Sequence, residues 1–529
     1  MSRVKRENPG VLSELLLALY LFVVWGIYIY KDNFVYYANN YAHGGLIVAA
    51  LMLLALAGAI AVAHIAVGLI SKLPSFDDRQ VSSREKLIKL LIFSAVSLAV
   101  LLICYWGIKP ILLDTDSNNQ YIQALTGEYN DWHPVWYTLL TYTLPLKLFG
   151  SIDGLLPFQL VISSLVFGCM ATIIWEYSNI KYAAIALSYL LLNPFVTSIS
   201  MFLWKDVAFS LAAAASMLCA VKIYFTRGEW AKSHVRIILA AVCLTNATLF
   251  RHNGILFTGS MMAALLFIMD KKRWVELLLI FAAMLCVIKG PIYSALDVTD
   301  PGDRPVEVLG LPITVIINVA NSNPEALDEE TAEFVDDFLD TSVFNVGYKY
   351  IIFNSVKWKE GTDLTVVDEV GTAKVLKMAW RCFVNDKADA LNAIFHLTDI
   401  VYAVDGETQV ESYFKGNIAQ STIESQGNKT VYNMVQLYNS LIYSGIFKYV
   451  TYIGTAMLAM LAFMLGRSNL RRWAEWKRLF LCLPVFVYNF GTMLLLSSID
   501  YRFFYETFLL CPLVILIMLK DNRLDGAIK

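Results

Sequence analysis

Long apolar runs recur along this chain, and they restrict its fold more than any other feature. A run of about 17 to 25 apolar residues is long enough to cross a bilayer, where only a helix or a closed barrel satisfies the backbone amides. Such runs fall near 11–31, 45–71, 88–108, 155–176, 182–199, 206–225, 236–256, 256–270, 274–292, 443–466, 479–496 and 503–519, with 256–270 the weakest. They predict a polytopic α-helical membrane protein of about 12 transmembrane helices. Composition agrees: 57% of the 529 residues are hydrophobic and only 16% charged. The first run is too long for a signal peptide and lacks a small-residue cleavage site, so it reads as a retained helix.

Orientation follows from the positive-inside bias of short loops. Arg3, Lys5 and Arg6 precede the first run, which sets the amino terminus in the cytoplasm. Alternation from there puts 24 cationic residues on the same side, among them Lys72, Arg79, Arg84, Lys86, Lys222, Arg227, Lys271, Arg467 and Arg471. An even number of spans returns the carboxyl terminus to that side. Val135 to Gly150 is apolar enough to be mistaken for a crossing, but it would invert the later basic loops, so it is expected to lie along the surface.

One long polar segment, 293–440, holds 10 Lys+Arg against 23 Asp+Glu, a net charge of −13, while the remainder of the chain carries +11. It faces outward on this topology and is large enough for its own core. Its fold is expected to be mixed or mainly helical. Asn323-Pro324-Glu325 resembles a capped helix start, and 372–402 has a helical pattern. The eight cysteines have no paired spacing and read as packing residues. No nucleotide-binding glycine loop, zinc pattern or nucleic-acid-binding basic patch is present in the sequence.

The candidate site is the outward polar stretch Asp114 to Pro134, which carries Asp114, Asp116, Gln120, Asp131 and His133. Lys205, Arg251, His252 and Arg502 fall at the same ends of their helices. Charges avoid the bilayer centre in any case, so any one of them could be an interfacial anchor or a structural pair such as Lys205 with Asp206. As a set they supply both halves of a displacement reaction. The carboxylates could take a proton from a hydroxyl, and the cations could hold a phosphate leaving group. Asp114-Thr115-Asp116 also matches the short pattern by which soluble glycosyltransferases hold a metal and a nucleotide sugar, but nucleotide sugars are cytoplasmic and this loop faces outward. Asp114, Asp116, Asp131 and His133 leave a divalent ion, Mg or Mn, as an option without requiring one.

Three motifs then carry a resemblance. Asp116-Ser117, Gln120, Gly127-Glu128-Tyr129 and Asp131-Trp132-His133-Pro134 form the first, Trp204-Lys205-Asp206 the second, and Arg251 to Gly254 the third. In order and spacing over residues 88 to 260, extended by Asp500-Tyr501-Arg502, the chain resembles the GT-C superfamily of polyprenyl-phosphate-sugar-dependent membrane glycosyltransferases. The resemblance implies a catalytic carboxylate in the first outer loop, Asp116 with Asp114 as runner-up, and lateral entry of a lipid donor. Lys205, Arg251, His252 and Arg502 would then bind the donor phosphate, and Gln120, Asp131 and His133 would position the loop or the acceptor.

The expected organisation is an amino-terminal two-helix hairpin (1–86), a GT-C-like module (87–292) with outer loop 110–154, the acidic extracytoplasmic domain (293–440) and carboxy-terminal transmembrane helices (441–529). The hairpin is a departure from the GT-C pattern. The expected activity is inverting transfer of a sugar from an undecaprenyl-type phosphate to a cell-wall polysaccharide or teichoic acid outside a bacterial plasma membrane. A lipid-sugar flippase or polysaccharide exporter, and an oligosaccharide polymerase or ligase, are the alternatives.

Overall fold

The computed structural model describes residues 10–31, 41–76, 79–300, 305–340, 344, 350–404 and 425–520. The terminal cations Arg3, Lys5, Arg6, Arg523 and Lys529 lie outside the described residues. Among those described, the backbone is helical, and extended pairing is limited to isolated bridges. Seven helices are long and apolar enough to cross a membrane: Val11–Ile29, Gly44–Lys72, Ser83–Ile108, Ile152–Tyr177, Lys205–Phe225, Lys271–Ala295 and Tyr501–Leu519. The chain is therefore an α-helical membrane protein.

Of the other expected spans, 479–496 falls largely within the continuous helix Trp473–Met493, and the rest fold as shorter or interrupted helices whose interruptions have local causes. The run 182–199 breaks at Asn193-Pro194. Helix Ile180–Leu191 stops, and the Asn193 side chain accepts from Phe195 N at 3.0 Å to start Pro194–Ile199. The runs 236–256 and 256–270 become His234–Leu249 and Gly254–Leu266, separated by Arg251 to Asn253. The run 443–466 becomes a short turn and then Ile453–Gly466. The segment 135–149, expected on the surface, is packed inside over Val135 to Thr143, whereas Leu144, Leu148 and Phe149 are exposed. It contains a π-helical turn at Leu139–Thr143, and Tyr137 and Tyr142 are fully buried in the main core.

Small residues set the closest helix approaches, as is usual where lipid supplies no hydrophobic drive. Ala55, Ala59, Ala63 and Val67 repeat every fourth residue along the buried face of Gly44–Lys72, and the last three meet Leu17 and Leu21 of the first helix. This hairpin docks on Ile453–Gly466 through Ala462 and Leu465. Ser83–Ile108 crosses Leu155–Tyr177 at Gly168, where a Cβ would lie 2.0 Å from Ser94 Oγ.

The two ends of the bundle differ in charge chemistry. At one end the basic connections meet: Glu176 pairs with Lys86 at 2.7 Å and with Lys222, while Arg467 donates to Leu73 O at 2.7 Å and Ser75 Oγ at 2.9 Å. The opposite end carries the polar loop and the acidic segment.

That acidic segment has its own core, in which Ile313, Ile316, Phe334, Phe338, Phe353, Val356 and Met378 cluster apart from the bundle. The expected start at Asn323 is a 3-10 turn; the helix proper is Glu329–Phe338, capped by Asp328, which accepts from Thr331 N at 2.9 Å. The pattern at 372–402 is two helices, Thr372–Asn385 and Lys387–Tyr402, divided at Asp386, whose carboxylate caps the second. Leu397, Ile400 and Val401 leave the acidic core and join the bundle, so the self-contained region is shorter than 293–440. It is anchored at Gly310, where a Cβ would sit 2.3 Å from Ser497 Cα, and by Asn354 N donating to Ser497 O at 3.0 Å.

Candidate active site

The polar loop is held from both sides by backbone. A parallel bridge between Leu112 and Phe202 lays residues 110–114 beside 200–204 and sets Asp114 against Trp204. Asp114 then does two structural jobs. It caps helix Thr115–Thr126 by accepting from Ser117 N at 2.9 Å, and it accepts from Trp204 Nε1 at 2.6 Å. The helix ends at Gly127, whose φ of 76° suits a residue without a Cβ. Beyond it, Asp131 N donates to Thr299 O at 3.1 Å, and the Asp131 carboxylate takes Lys289 at 2.6 Å and Val135 N at 3.1 Å.

Asp116, in the first turn of the helix, is the more open carboxylate, its side chain 37% exposed against 10% for Asp114. Arg502 Nη2 lies 3.0 Å from its Oδ2 and His133 Nε2 3.9 Å from its Oδ1. Burial alone would raise the Asp116 pKa, but Arg502, then Lys205, outweigh it and hold the acid down at about 2. His133 Nδ1 is 3.0 Å from Lys205 Nζ. An ammonium only donates, so Nδ1 accepts and the ring proton sits on Nε2, toward Asp116. Burial first, and then the Lys205 charge, hold His133 down at about 3, so the ring is neutral at physiological pH.

The cations are matched unevenly. Arg251 is locked to buried Asp206 and lies 4.4 Å from the Phe503 ring centroid. Lys205 therefore pairs with His133, and Asp206 with Arg251, in place of the Lys205–Asp206 pair raised by the sequence. Arg502 is the hub: Asp500 at 2.8 Å, Asp116 at 3.0 Å, Asp114 at 3.6 Å and Asp206 at 3.8 Å surround it, over the Trp204 ring. Lys205 has no carboxylate within salt-bridge distance among the described residues.

Two cavities meet at this cluster. One, of about 600 Å³, is lined by Asp116, His133, Lys205, Arg251, His252 and Arg502 together with Glu307, Lys357 and Trp358 of the acidic segment. The other, of about 560 Å³, runs along helix Thr115–Thr126 and shares Asp116, Trp132, His133 and Trp358 with the first. His252 Nε2 lies 3.4 Å from Trp132 O. Gln120 is 2% exposed and lines neither cavity, so it belongs to the packing behind the loop.

Asp114, Asp116, Asp131 and His133 do not converge as ligands. No group of three or more His, Cys, Asp or Glu among the described residues is arranged to hold a metal ion, and Arg502 stands against both Asp114 and Asp116. This arrangement does not fit a divalent ion.

Sequence reasoning missed Trp204 and Asp500 as partners of Arg502, matched Asp206 with Lys205 and not with Arg251, and missed Lys357 and Trp358 as lining residues. Trp204 and Asp500 adjoin chosen residues or their motifs and could have been found as motif neighbours. Lys357 and Trp358 gave no sequence signal, because only docking of the acidic segment brings them to the loop. No curated protein and no solved structure matches the chain. One family model does, over residues 42–358, and on that match the chain belongs to the family of unknown function DUF6020.

Proposed function

We propose that this protein is an inverting, GT-C-type glycosyltransferase that moves a sugar from a polyprenyl-phosphate carrier to a glycan acceptor at the outer face of a bacterial plasma membrane. In this reading the shorter helices complete about twelve passages, and both termini are cytoplasmic. The observation that carries it is Asp116, an ionised and partly open carboxylate where two cavities meet, one of them lined by Lys205, Arg251 and Arg502.

The acceptor hydroxyl attacks the anomeric carbon while the bond from that carbon to the phosphate oxygen breaks, inverting the centre and releasing polyprenyl phosphate. The hydroxyl proton goes to Asp116. A carboxylate of such low pKa takes it late, as the attacking oxygen becomes acidic in the transition state. Lys205, held by neutral His133, is the cation most available to the departing phosphate, and Arg502 can share its guanidinium between Asp116 and that anion. Arg251, bound to Asp206, acts by fixing the helix end from which Lys205 projects. Gln120, Asp131 and His252 support the loop.

The test is a product assay in detergent micelles, which have no two sides and so cannot report transport. Purified protein given a polyprenyl-phosphate-linked sugar and an oligosaccharide acceptor should release free polyprenyl phosphate and ignore nucleotide sugars. Absence of transfer across a panel of lipid-linked sugars, alongside their translocation in sealed vesicles, would replace this reading with a flippase.

A further inference from the structure

The second cavity differs in chemistry from the first, and the difference bears on the acceptor. Its described lining includes no lysine or arginine. It offers the amides of Asn119, Gln123 and Asn130, two carboxylates, Asp116 and Glu128, and two indoles, Trp132 and Trp358. The amides are already ordered: Gln123 Nε2 donates to Asn119 Oδ1 at 2.7 Å, and Asn130 N donates to Gln123 Oε1 at 3.1 Å. A fixed row of amides suits hydroxyl and acetamido groups. Asp116 is already matched by Arg502 at 3.0 Å, and no lysine or arginine of the described lining is left to hold the phosphates of a phosphate-rich chain.

Trp358 is the unusual member. It is 70% exposed although it lines both cavities. An indole this open to water is a costly exposure of apolar surface, and a flat apolar face beside polar groups matches the C–H face of a pyranose ring. Its position is fixed from beneath: Phe353 and Val356 are fully buried in the acidic core, Lys357 Nζ lies 4.7 Å from the indole centroid, and Asn354 N donates to Ser497 O at 3.0 Å, three residues from Asp500. The platform is therefore tied to the same turn that carries Arg502.

Resting on the transferase reading above, we infer that the acceptor is a saccharide free of phosphate, bound in the cavity along Thr115–Thr126 with one ring stacked on Trp358, and that the acidic segment thereby sets acceptor specificity. The teichoic-acid acceptor expected from sequence is displaced by this inference in favour of the polysaccharide.

The experiment compares two probes with the full-length protein in micelles: a neutral tetrasaccharide of hexose and N-acetylhexosamine units, and a glycerol-phosphate hexamer. Each is followed by transfer from polyprenyl-phosphate-linked sugars and, without donor, by saturation-transfer-difference NMR. The neutral probe should accept sugar and show contacts at its ring C–H protons. Trp358→Ala should abolish those contacts and raise the acceptor KM about tenfold, as loss of one stacked aromatic contact would, and Trp358→Phe should restore most of both. A preference for the glycerol-phosphate probe, or an acceptor KM unmoved by Trp358→Ala, overturns the inference while transfer itself stands. If the wild-type protein transfers sugar to neither probe and the neutral one gives no NMR contact, the transferase reading and the inference fall together.

Discussion

At the scale of single residues, the two aspartates of the loop divide the work, although the sequence offers them as near equivalents. Asp114 caps a helix and holds Trp204, whereas Asp116 is open and ionised. Asp116→Asn should therefore lower transfer about 10²- to 10⁴-fold with donor binding retained, measured as turnover and as lipid-donor affinity. Near-normal turnover would remove Asp116 from the mechanism. Asp114→Asn should instead lower thermal stability. Charge states make a second prediction. His133 has a folded pKa near 3 against 6.5 for the free side chain, so below pH 6.5 the unfolded chain gains a proton that the folded one does not. Stability conferred by the neutral ring is complete above pH 6.5 and falls as pH drops toward 3, and the depressed Asp116 adds its loss only as pH falls from 3.8 toward 2. Since neither group titrates near neutrality, kcat/KM should show no inflection from them between about pH 5 and pH 8. An acid limb near 6.5 that vanishes in His133→Gln would contradict this. Arg251 was expected from sequence to contact phosphate directly, but it is held by Asp206. Removing one member of such a buried pair costs about 3–5 kcal/mol, so Arg251→Ala should lower the melting temperature more than Arg251→Ala combined with Asp206→Asn.

At the scale of elements, the apolar runs gave the helices, but not where they break. Pro194 and the Asn193 cap end one run early, and Arg251 to Asn253 interrupt another pair. Hydropathy averages over a window in which a cap or a single proline is a small contribution, so such breaks are invisible to it. The segment 135–149 was legible only in part for a related reason: its composition fits an interface or an interior, and only the surrounding helices decide that 135–143 is covered while Leu144, Leu148 and Phe149 stay exposed. Helix contacts have a sharper local determinant. At Gly168 a side chain would meet Ser94 Oγ at 2.0 Å and Ser94 N at 2.9 Å. Gly168→Val should destabilise the crossing of Ser83–Ile108 with Leu155–Tyr177 by about 1–3 kcal/mol. Ser94→Ala in the same chain should recover only a fraction, because the backbone nitrogen remains. Equal melting temperatures for wild type and Gly168→Val would show that the two helices separate freely.

For the whole molecule, sidedness and docking govern what the site can reach. If the acidic segment faces outward, Lys359→Cys should react with a membrane-impermeant maleimide in intact cells, and Arg84→Cys only after permeabilisation. Labelling in the opposite order would reverse the topology and remove the lipid-donor reading with it. The sequence by itself determined that the chain lies in a membrane as helices, because apolar runs of that length have no other stable arrangement there. It also marked the loop residues, since Asp116, His133, Lys205 and Arg251 are polar groups beside long apolar segments. Only the tertiary structure decided their roles. Arg502 reaches Asp116 across 386 positions of sequence, Asp206 neutralises Arg251, and Trp358 arrives from a separately packed segment through Gly310 and Asn354. Hydrophobic pattern and local motif are properties of neighbours along the chain, whereas charge pairing and cavity shape depend on distances that only packing sets.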